Sequence, residues 1–399
     1  MKIALITASE RPIPATLGGA TQTMMNHLID VNEEKGEHEF VIFSYHENQA
    51  ELDSKKYKYS KFYFYRPIKK LDKIESIFYR TLRVLSNHKI YLRSNFIRFC
   101  AKHIREENVD VVVLQGNCFQ AKHMRSLIDN KIILHMHIDR LNTELKESED
   151  IINSVDGLIA ISEFCKRKML EVCPEKNDKI RVLKNTIDID SFNKDDKDDV
   201  KKIIRKKIGA TENQIIISYC GRLVEDKGVL ELVKAIKQLN DKRLRLMIIG
   251  SSVYAGGKKT EYVKKLEKEA EGLVGGYCFT GYIPQKELPK YVKSSDIAVV
   301  PSICQEAAGN VTIEALACGV PVVASTQGGI PEYADESACE LVPYNEDFIS
   351  NIATAIHKLI NNKDLYKAKC DNSRKVALKY SKHIYHTNFI DVVNKLCIK

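Results

Sequence analysis

No CxxC pair occurs among the eleven cysteines, and no long apolar run interrupts the 399 residues. The first absence gives a zinc site little support. The odd count is scattered through apolar contexts such as Cys118, Cys220 and Cys318, which fits reduced, buried thiols in a cytoplasmic protein. The second absence argues against a spanning helix, which needs roughly 18 or more apolar residues in succession. The opening MKIALITAS lacks the length and cleavage pattern of a signal peptide and reads as a β-strand. Neither GxGxxG nor a Walker lysine is present, which weakens nicotinamide and ATP-hydrolysing readings. No nucleic-acid recognition motif accompanies the net charge of +9. That modest excess suits a phosphate-rich ligand or an anionic membrane face.

What is there is enough apolar material, 44% of residues, for ordinary globular cores, on a chain whose length points to two domains. Strand-like runs precede helix-like runs twice over. The first series holds KIALITA, Glu39 to Tyr45, Val109 to Gly116, Lys131 to His137 and Val155 to Ser162. The second starts near Asn213 with QIIISYCG, then LRLMIIG, YCFTG, SDIAVVPS and VPVVAS. Each run is continuous rather than alternating, as in strands buried on both faces of a parallel sheet. The reading is α/β, with two doubly wound domains. The interval 193–207 is the expected entry to the second domain, and 364–399 reads as helices without strands.

One region breaks the pattern. KKYKYSKFYFYRPIKK (Lys55 to Lys70) interleaves aromatics with Lys and Arg, and a stretch carrying Arg80, Arg83, Arg93 and Arg98 follows. It reads either as a basic amphipathic surface for anionic lipid or an anionic acceptor, or as a solvated edge strand and an ordinary helix.

Four segments could carry chemistry. GRLVEDKG (Gly221 to Gly228) follows a strand and opens a helix; Arg222 offers a planar fork and Lys227 a point charge to phosphate oxygens. A plain surface turn fits the same letters. Gly18 and Gly19, after the first strand, clear space for a ligand or simply make a turn. His135 and His137 in HMHID would face one side of a continuing strand. His137, nearer its carboxyl end, could donate to a sugar hydroxyl or carbonyl, or be an internal hydrogen-bonded histidine. QEAAGNVTIEALACGVPVVAS sets Glu306 in a loop and Glu314 on the early turns of a helix starting near Asn310 or Val311. Carboxylates accept paired hydrogen bonds from sugar hydroxyls, though both could equally be surface residues.

In order and spacing, Arg222, Lys227, Glu306-x7-Glu314 and GVPVVAS…GGIPE resemble the retaining glycosyltransferases of family 4, of the bacterial surface-glycan type. The resemblance runs through nearly the whole chain and is strongest from Cys220 to Glu332. It implies the GT-B fold, two Rossmann-like domains facing across a cleft. The domains would be 1–187 with 376–399 on the acceptor side, and 188–375 on the nucleotide-sugar side. Arg222 and Lys227 would hold the diphosphate, Glu306 would approach the donor sugar, and Glu314 would hold the ribose. Gly309, Asn310 and Val311 would bring backbone groups to the sugar and diphosphate. Gly18 and Gly19 match the family's N-terminal glycine loop, and His137 its N-domain histidine. Ser162 and Glu163 fall in a segment resembling the acceptor side. Asn185 matches a usual Asn, but Thr186 stands where Gly commonly follows, which puts the local backbone path in question.

The implied reaction moves a hexose or N-acetylhexosamine from a nucleotide-diphospho-sugar to a glycan or lipid-linked acceptor, with retention. No metal or cofactor is required, because cationic side chains do the phosphate work; Asp188-Ile189-Asp190 sits in the inter-domain connection and is not a DxD site. Peripheral contact with an anionic membrane at the inner face of the cell fits the basic segment. Two alternatives are an epimerase or hydrolytic relative of the same fold, and a catalytically weak structural or coat protein.

Overall fold

The computed structural model describes residues 1–7, 9–88, 90–193, 198–252 and 259–398. The chain forms two compact units, Met1–Thr186 with Lys382–Lys399, and Ile187–Ser381.

The first unit holds a seven-stranded sheet: β1 (Lys2–Ile6), β2 (Glu39–Tyr45), β3 (Ser60–Tyr65), β4 (Val111–Gln115), β5 (Lys131–His135), β6 (Gly157–Ala160) and β7 (Ile180–Val182). Their order is β3-β2-β1-β4-β5-β6-β7, every pair parallel. The second unit holds six strands: β8 (Ile215–Cys220), β9 (Leu244–Ile249), β10 (Tyr277–Gly281), β11 (Ile297–Val300), β12 (Val322–Ser325) and β13 (Cys339–Val342). Their order is β10-β9-β8-β11-β12-β13, again parallel. Helices connect the strands, so each unit is α/β and doubly wound.

The continuous apolar runs have a direct cause. In the second unit, Ile216, Met247, Ala298 and Val300 enter one core, while Ile217, Leu246, Ile248, Ile297 and Val299 enter another. Alternate side chains leave opposite faces of a strand, so a sheet covered on both sides needs apolar residues at every position.

The structure differs from expectation in several places. β5 ends at His135, not His137, because Met136 leaves the strand ladder while its amide still donates to the Ile159 carbonyl at 2.8 Å. The chain crosses between units at 186/187 and 381/382, rather than 187/188 and 375/376. Ile187, Val376, Ala377 and Tyr380 all pack in the second unit's core. Lys369, on the helix Lys363–Leu378, donates to the carbonyls of Glu336 (2.9 Å) and Cys339 (2.8 Å), tying that helix to the second unit. The interval 193–207 lies partly outside the described residues; its later part is the helix Asp198–Lys207. Thr186 is buried and has no positive φ, so its site needs no glycine. Among the described residues no helix is long and apolar enough to cross a membrane.

Candidate functional site

In a doubly wound sheet, successive strands are added first to one side and then to the other. The gap where the direction reverses, at the carboxyl ends, is where ligands bind. In the second unit that point lies between β8 and β11. The GRLVEDKG loop leaves β8 and the Glu306 loop leaves β11, so the topology brings the two motifs to one place.

Local geometry then joins them. Gly228 has φ +66°, and a Cβ there would lie 1.8 Å from the Pro301 carbonyl oxygen; only glycine lets the loops pass so closely. The Asp226 carbonyl accepts from the amides of Ile303 (3.0 Å) and Cys304 (3.1 Å). Lys227 Nζ consequently reaches Glu306 Oε1 at 2.5 Å, and the Ser302 hydroxyl donates to the same oxygen at 2.7 Å. The Glu306 backbone is held from the other side, where its carbonyl accepts from Gly329 N at 2.6 Å. Arg222 is exposed, and its carbonyl accepts from the Tyr219 hydroxyl at 2.7 Å, which pins the turn beneath the guanidinium.

The helix Asn310–Ala317 starts three residues after this loop's Ala307, with Gly309 at its N-cap and no side chain capping it. The amides of Thr312 and Ile313 donate to the Gly309 carbonyl at 3.0 and 3.3 Å, and the start of the helix carries the positive end of its dipole, which favours anions. Asn310 and Val311 are on that first turn. Glu314 follows on the second. It keeps partial solvent exposure, yet the protein around its carboxyl pushes the pKa up to about 7. Gln285 Nε2 approaches Glu314 Oε1 at 3.5 Å, a long contact.

In the first unit the reversal lies between β1 and β4. Gly18 (φ +67°) and Gly19 (φ +115°) follow β1, and Gly19 is the N-cap of the helix Ala20–Lys35. His137 lies two residues past β5, its Nε2 2.8 Å from Gln115 Oε1 at the end of β4. The carbonyl oxygen can only accept, so in this arrangement the His137 proton is on Nε2, and Nδ1 is buried with no hydrogen-bond partner among the described residues. The rings of His135 and His137 lie 4.2 Å apart, on the same side as expected. Burial depresses both, His137 to about 4 and His135 well below the ordinary imidazole range, the latter helped by the neighbouring imidazole. Both rings are neutral at physiological pH.

Lys227 and Glu306 are thus in contact, and Arg222, Asn310, Val311 and Glu314 belong to the same switch-point loops and helix. Gly18, Gly19 and His137 belong to the other unit. Sequence reading missed Ser302, Gln285 and Gln115, the polar partners of Glu306, Glu314 and His137. Ser302 and Gln115 each stand just beyond or at a strand's carboxyl end, which is a usable signal; Gln285 sits in a loop with none. Ser162, read as acceptor-side, is fully buried, and its hydroxyl accepts from Cys165 N at 3.1 Å as the N-cap of the helix Glu163–Val172.

Residues 200–376 match the family described as glycosyl transferases group 1. Over 400 aligned residues the chain is 22% identical to Spore coat protein SA of Bacillus subtilis, covering 98% of this chain and 96% of that one. It is 31% identical to a capsular polysaccharide biosynthesis glycosyltransferase, CapM, of Staphylococcus aureus, over 57% of this chain and 58% of that one. Among solved structures, the Anabaena protein HepE in complex with UDP-glucose superposes with a TM-score of 0.72 at 17% identity, covering 99% of each chain. That likeness concerns the fold.

Proposed function

We propose that the chain, with its group 1 glycosyl transferase match over residues 200–376, is a glycosyltransferase of the GT-B fold that transfers a hexose or N-acetylhexosamine from a nucleotide-diphospho-sugar to a glycan or lipid-linked acceptor, with retention, as in family 4. The observation that carries the reading is the Lys227–Glu306 pair beside Arg222 at the strand-order reversal. The UDP and UDP-glucose complexes of HepE support the donor class.

On this reading Lys227 exchanges Glu306 for a donor phosphate. Glu306 Oε1, still bonded to Ser302, then accepts from sugar hydroxyls. Arg222, Lys227 and the amides at Asn310 and Val311 stabilise the charge that grows on the leaving diphosphate. The anomeric C–O bond breaks with its electron pair going to the phosphate oxygen. The acceptor hydroxyl bonds to the same face through an oxocarbenium-like state and passes its proton to a phosphate oxygen. Glu306 is not a nucleophile here, in contrast to the paired carboxylates of retaining glycosidases. Glu314 accepts from the ribose hydroxyls. Within the first unit, nothing lies within 4 Å of where a Gly18 Cβ would stand, which leaves room for a ligand, whereas Gln22 fills the place beside Gly19, and neutral His137 is that unit's candidate for a sugar contact. No metal is needed, since fixed cations neutralise the diphosphate.

Calorimetry with a panel of nucleotide-sugars, with and without chelator, tests the donor. Saturable, chelator-independent binding of one donor is expected. Lys227→Ala and Arg222→Ala should each lower kcat on the order of 100-fold, the usual cost of one transition-state donor. Glu306→Gln should lower kcat with little change in nucleotide affinity. Full activity in all three variants rejects the assignment, and the anomeric configuration of the product, read by NMR, tests retention. The relative named as a spore coat protein favours a second reading, a non-catalytic structural protein. Donor binding without turnover on any acceptor would select it, and product made without an acceptor would indicate an epimerase or hydrolase.

A further inference from the structure

The helix Lys69–Leu85 is amphipathic but sits the wrong way round for a core helix. At about 100° per residue, Asp72, Glu75, Tyr79 and Leu82–Arg83 fall on one face. That face is the one against the protein, and it docks through polar contacts. Asp72 accepts from the Tyr65 hydroxyl (2.9 Å) and from Asn95 Nδ2 (2.8 Å). Glu75 pairs with Arg98, Arg83 with Glu147, and the Arg93 guanidinium stacks on the Tyr79 ring. The opposite face carries Ile74, Ile77, Phe78, Val84 and Leu85, which are 55–77% exposed, with Ile68 leading into it at 61%. Lys70 and Lys73 share that face and are also exposed, and Arg80, exposed as well, stands at its edge, where it also lines the inner cavity. Both acidic residues of the helix point inward, so among the described side chains every charge on the outer face is positive.

A solvent-facing helix normally inverts this arrangement. Contiguous exposed apolar surface marks an interaction site, and cations within and beside it select an apolar partner with an anionic rim. We propose that this outer face lies in the interface of an anionic lipid bilayer. Ile74, Ile77, Phe78 and Leu85 would enter the acyl boundary, while Lys70 and Lys73 snorkel to the headgroup phosphates. The inner face of the same helix walls a cavity of about 220 Å³ whose lining includes Tyr45, Asp72, Tyr79, Arg93, Asn95 and Asn117. These are aromatic faces and hydrogen-bonding groups suited to a saccharide. Given the transferase reading above, on which this last step rests, the acceptor class is a lipid-linked sugar. The membrane contact itself does not depend on that reading.

The test is sedimentation of the full chain with vesicles of phosphatidylcholine alone or mixed with phosphatidylglycerol. Binding should be on the order of 100-fold tighter to the mixed vesicles, given the contribution of each basic residue near an anionic surface. It should fall at least about 10-fold in the double variant Ile77→Asp/Phe78→Asp, which removes buried apolar area, and in Lys70→Glu/Lys73→Glu. All four side chains are exposed, so folding should survive, and unchanged binding of UDP-glucose verifies it. No association of the wild type with either vesicle overturns the proposal, as does association indifferent to both variants. A dimer in analytical ultracentrifugation that Ile77→Asp/Phe78→Asp dissociates also overturns it, since a second copy then covers the face. Loss of donor binding in the wild type would instead strike the transferase reading and leave the vesicle result to stand by itself.

Discussion

Glu314 has a carboxyl pKa raised to about 7 by burial, against 4.5 for the free side chain. Between those values the folded chain holds a proton that the unfolded chain has released. Its contribution to stability is therefore full below about pH 4.5 and is lost as pH rises through about 7. Glu314→Gln should flatten the fall in Tm between about pH 5 and pH 8. If Glu314 holds the ribose as proposed, the ribose hydroxyls donate to its ionised form, and donor binding should release a proton and tighten as pH rises through about 7. Calorimetry in two buffers of different ionisation heat measures that release; the same release in Glu314→Gln would reject the ribose contact. Gly328 makes a second prediction. It has φ +59°, and a Cβ there would stand 2.3 Å from the Glu306 carbonyl oxygen and 2.5 Å from its nitrogen. Gly328→Ala should push the Glu306 loop aside and cost about 100-fold in transfer, the usual price of an ångström's misplacement. Gly281→Ala is the control: its φ is +72° with nothing within 4 Å, so only backbone strain is added. Equal activity in the two variants would sink the argument. GGIPE was noticed in the sequence, but the reason for its first glycine is a contact between residues far apart in the chain.

At the scale of elements, the central strands and the edge strand β10 were legible, β3 was legible only as one of two readings, and β7 and β13 were not. β8, β9, β11 and β12 are continuous apolar runs because both faces are covered. β3 and β7 end their sheet and β10 and β13 end the other, and β3, β7 and β13 interleave charged or polar residues with apolar ones. SKFYFY in β3 answers part of the question raised by the basic-aromatic stretch, which is in that portion an edge strand. Its helix, however, is not an ordinary one: its apolar side faces outward. Periodicity reveals two faces but does not say which is buried. Ser162 teaches the same lesson in reverse. A motif likeness assigned it to the acceptor side, whereas its hydroxyl caps a helix. Ser162→Ala should cost about 1 kcal/mol in urea unfolding. A loss of transfer with unchanged stability would return it to the acceptor side.

At the scale of the molecule, the last helix decides whether the first unit folds. Tyr385, Phe389, Val392, Val393 and Leu396, on the helix Lys382–Cys397, pack with Ile3, Leu5, Val111 and Val113 in one core. Each such side chain contributes about 1.5–3 kcal/mol on burial. Together they match the whole net stability of a domain, about 5–15 kcal/mol. A chain ending at Ser381 should therefore lose the first unit's cooperative unfolding transition, read by circular dichroism, while Ile187–Ser381 keeps its own. Two transitions in the truncated chain would refute this. By itself the sequence determined the α/β class, the two series of parallel strands and the motifs in their loops, because burial on both sheet faces and tight glycine turns write themselves into local patterns. Only the tertiary structure decided that Lys227 touches Glu306, that residues 376–381 belong to the second unit, and which face of the helix Lys69–Leu85 meets solvent. Those depend on strand order and on contacts between residues distant in the chain, and no local spacing encodes either.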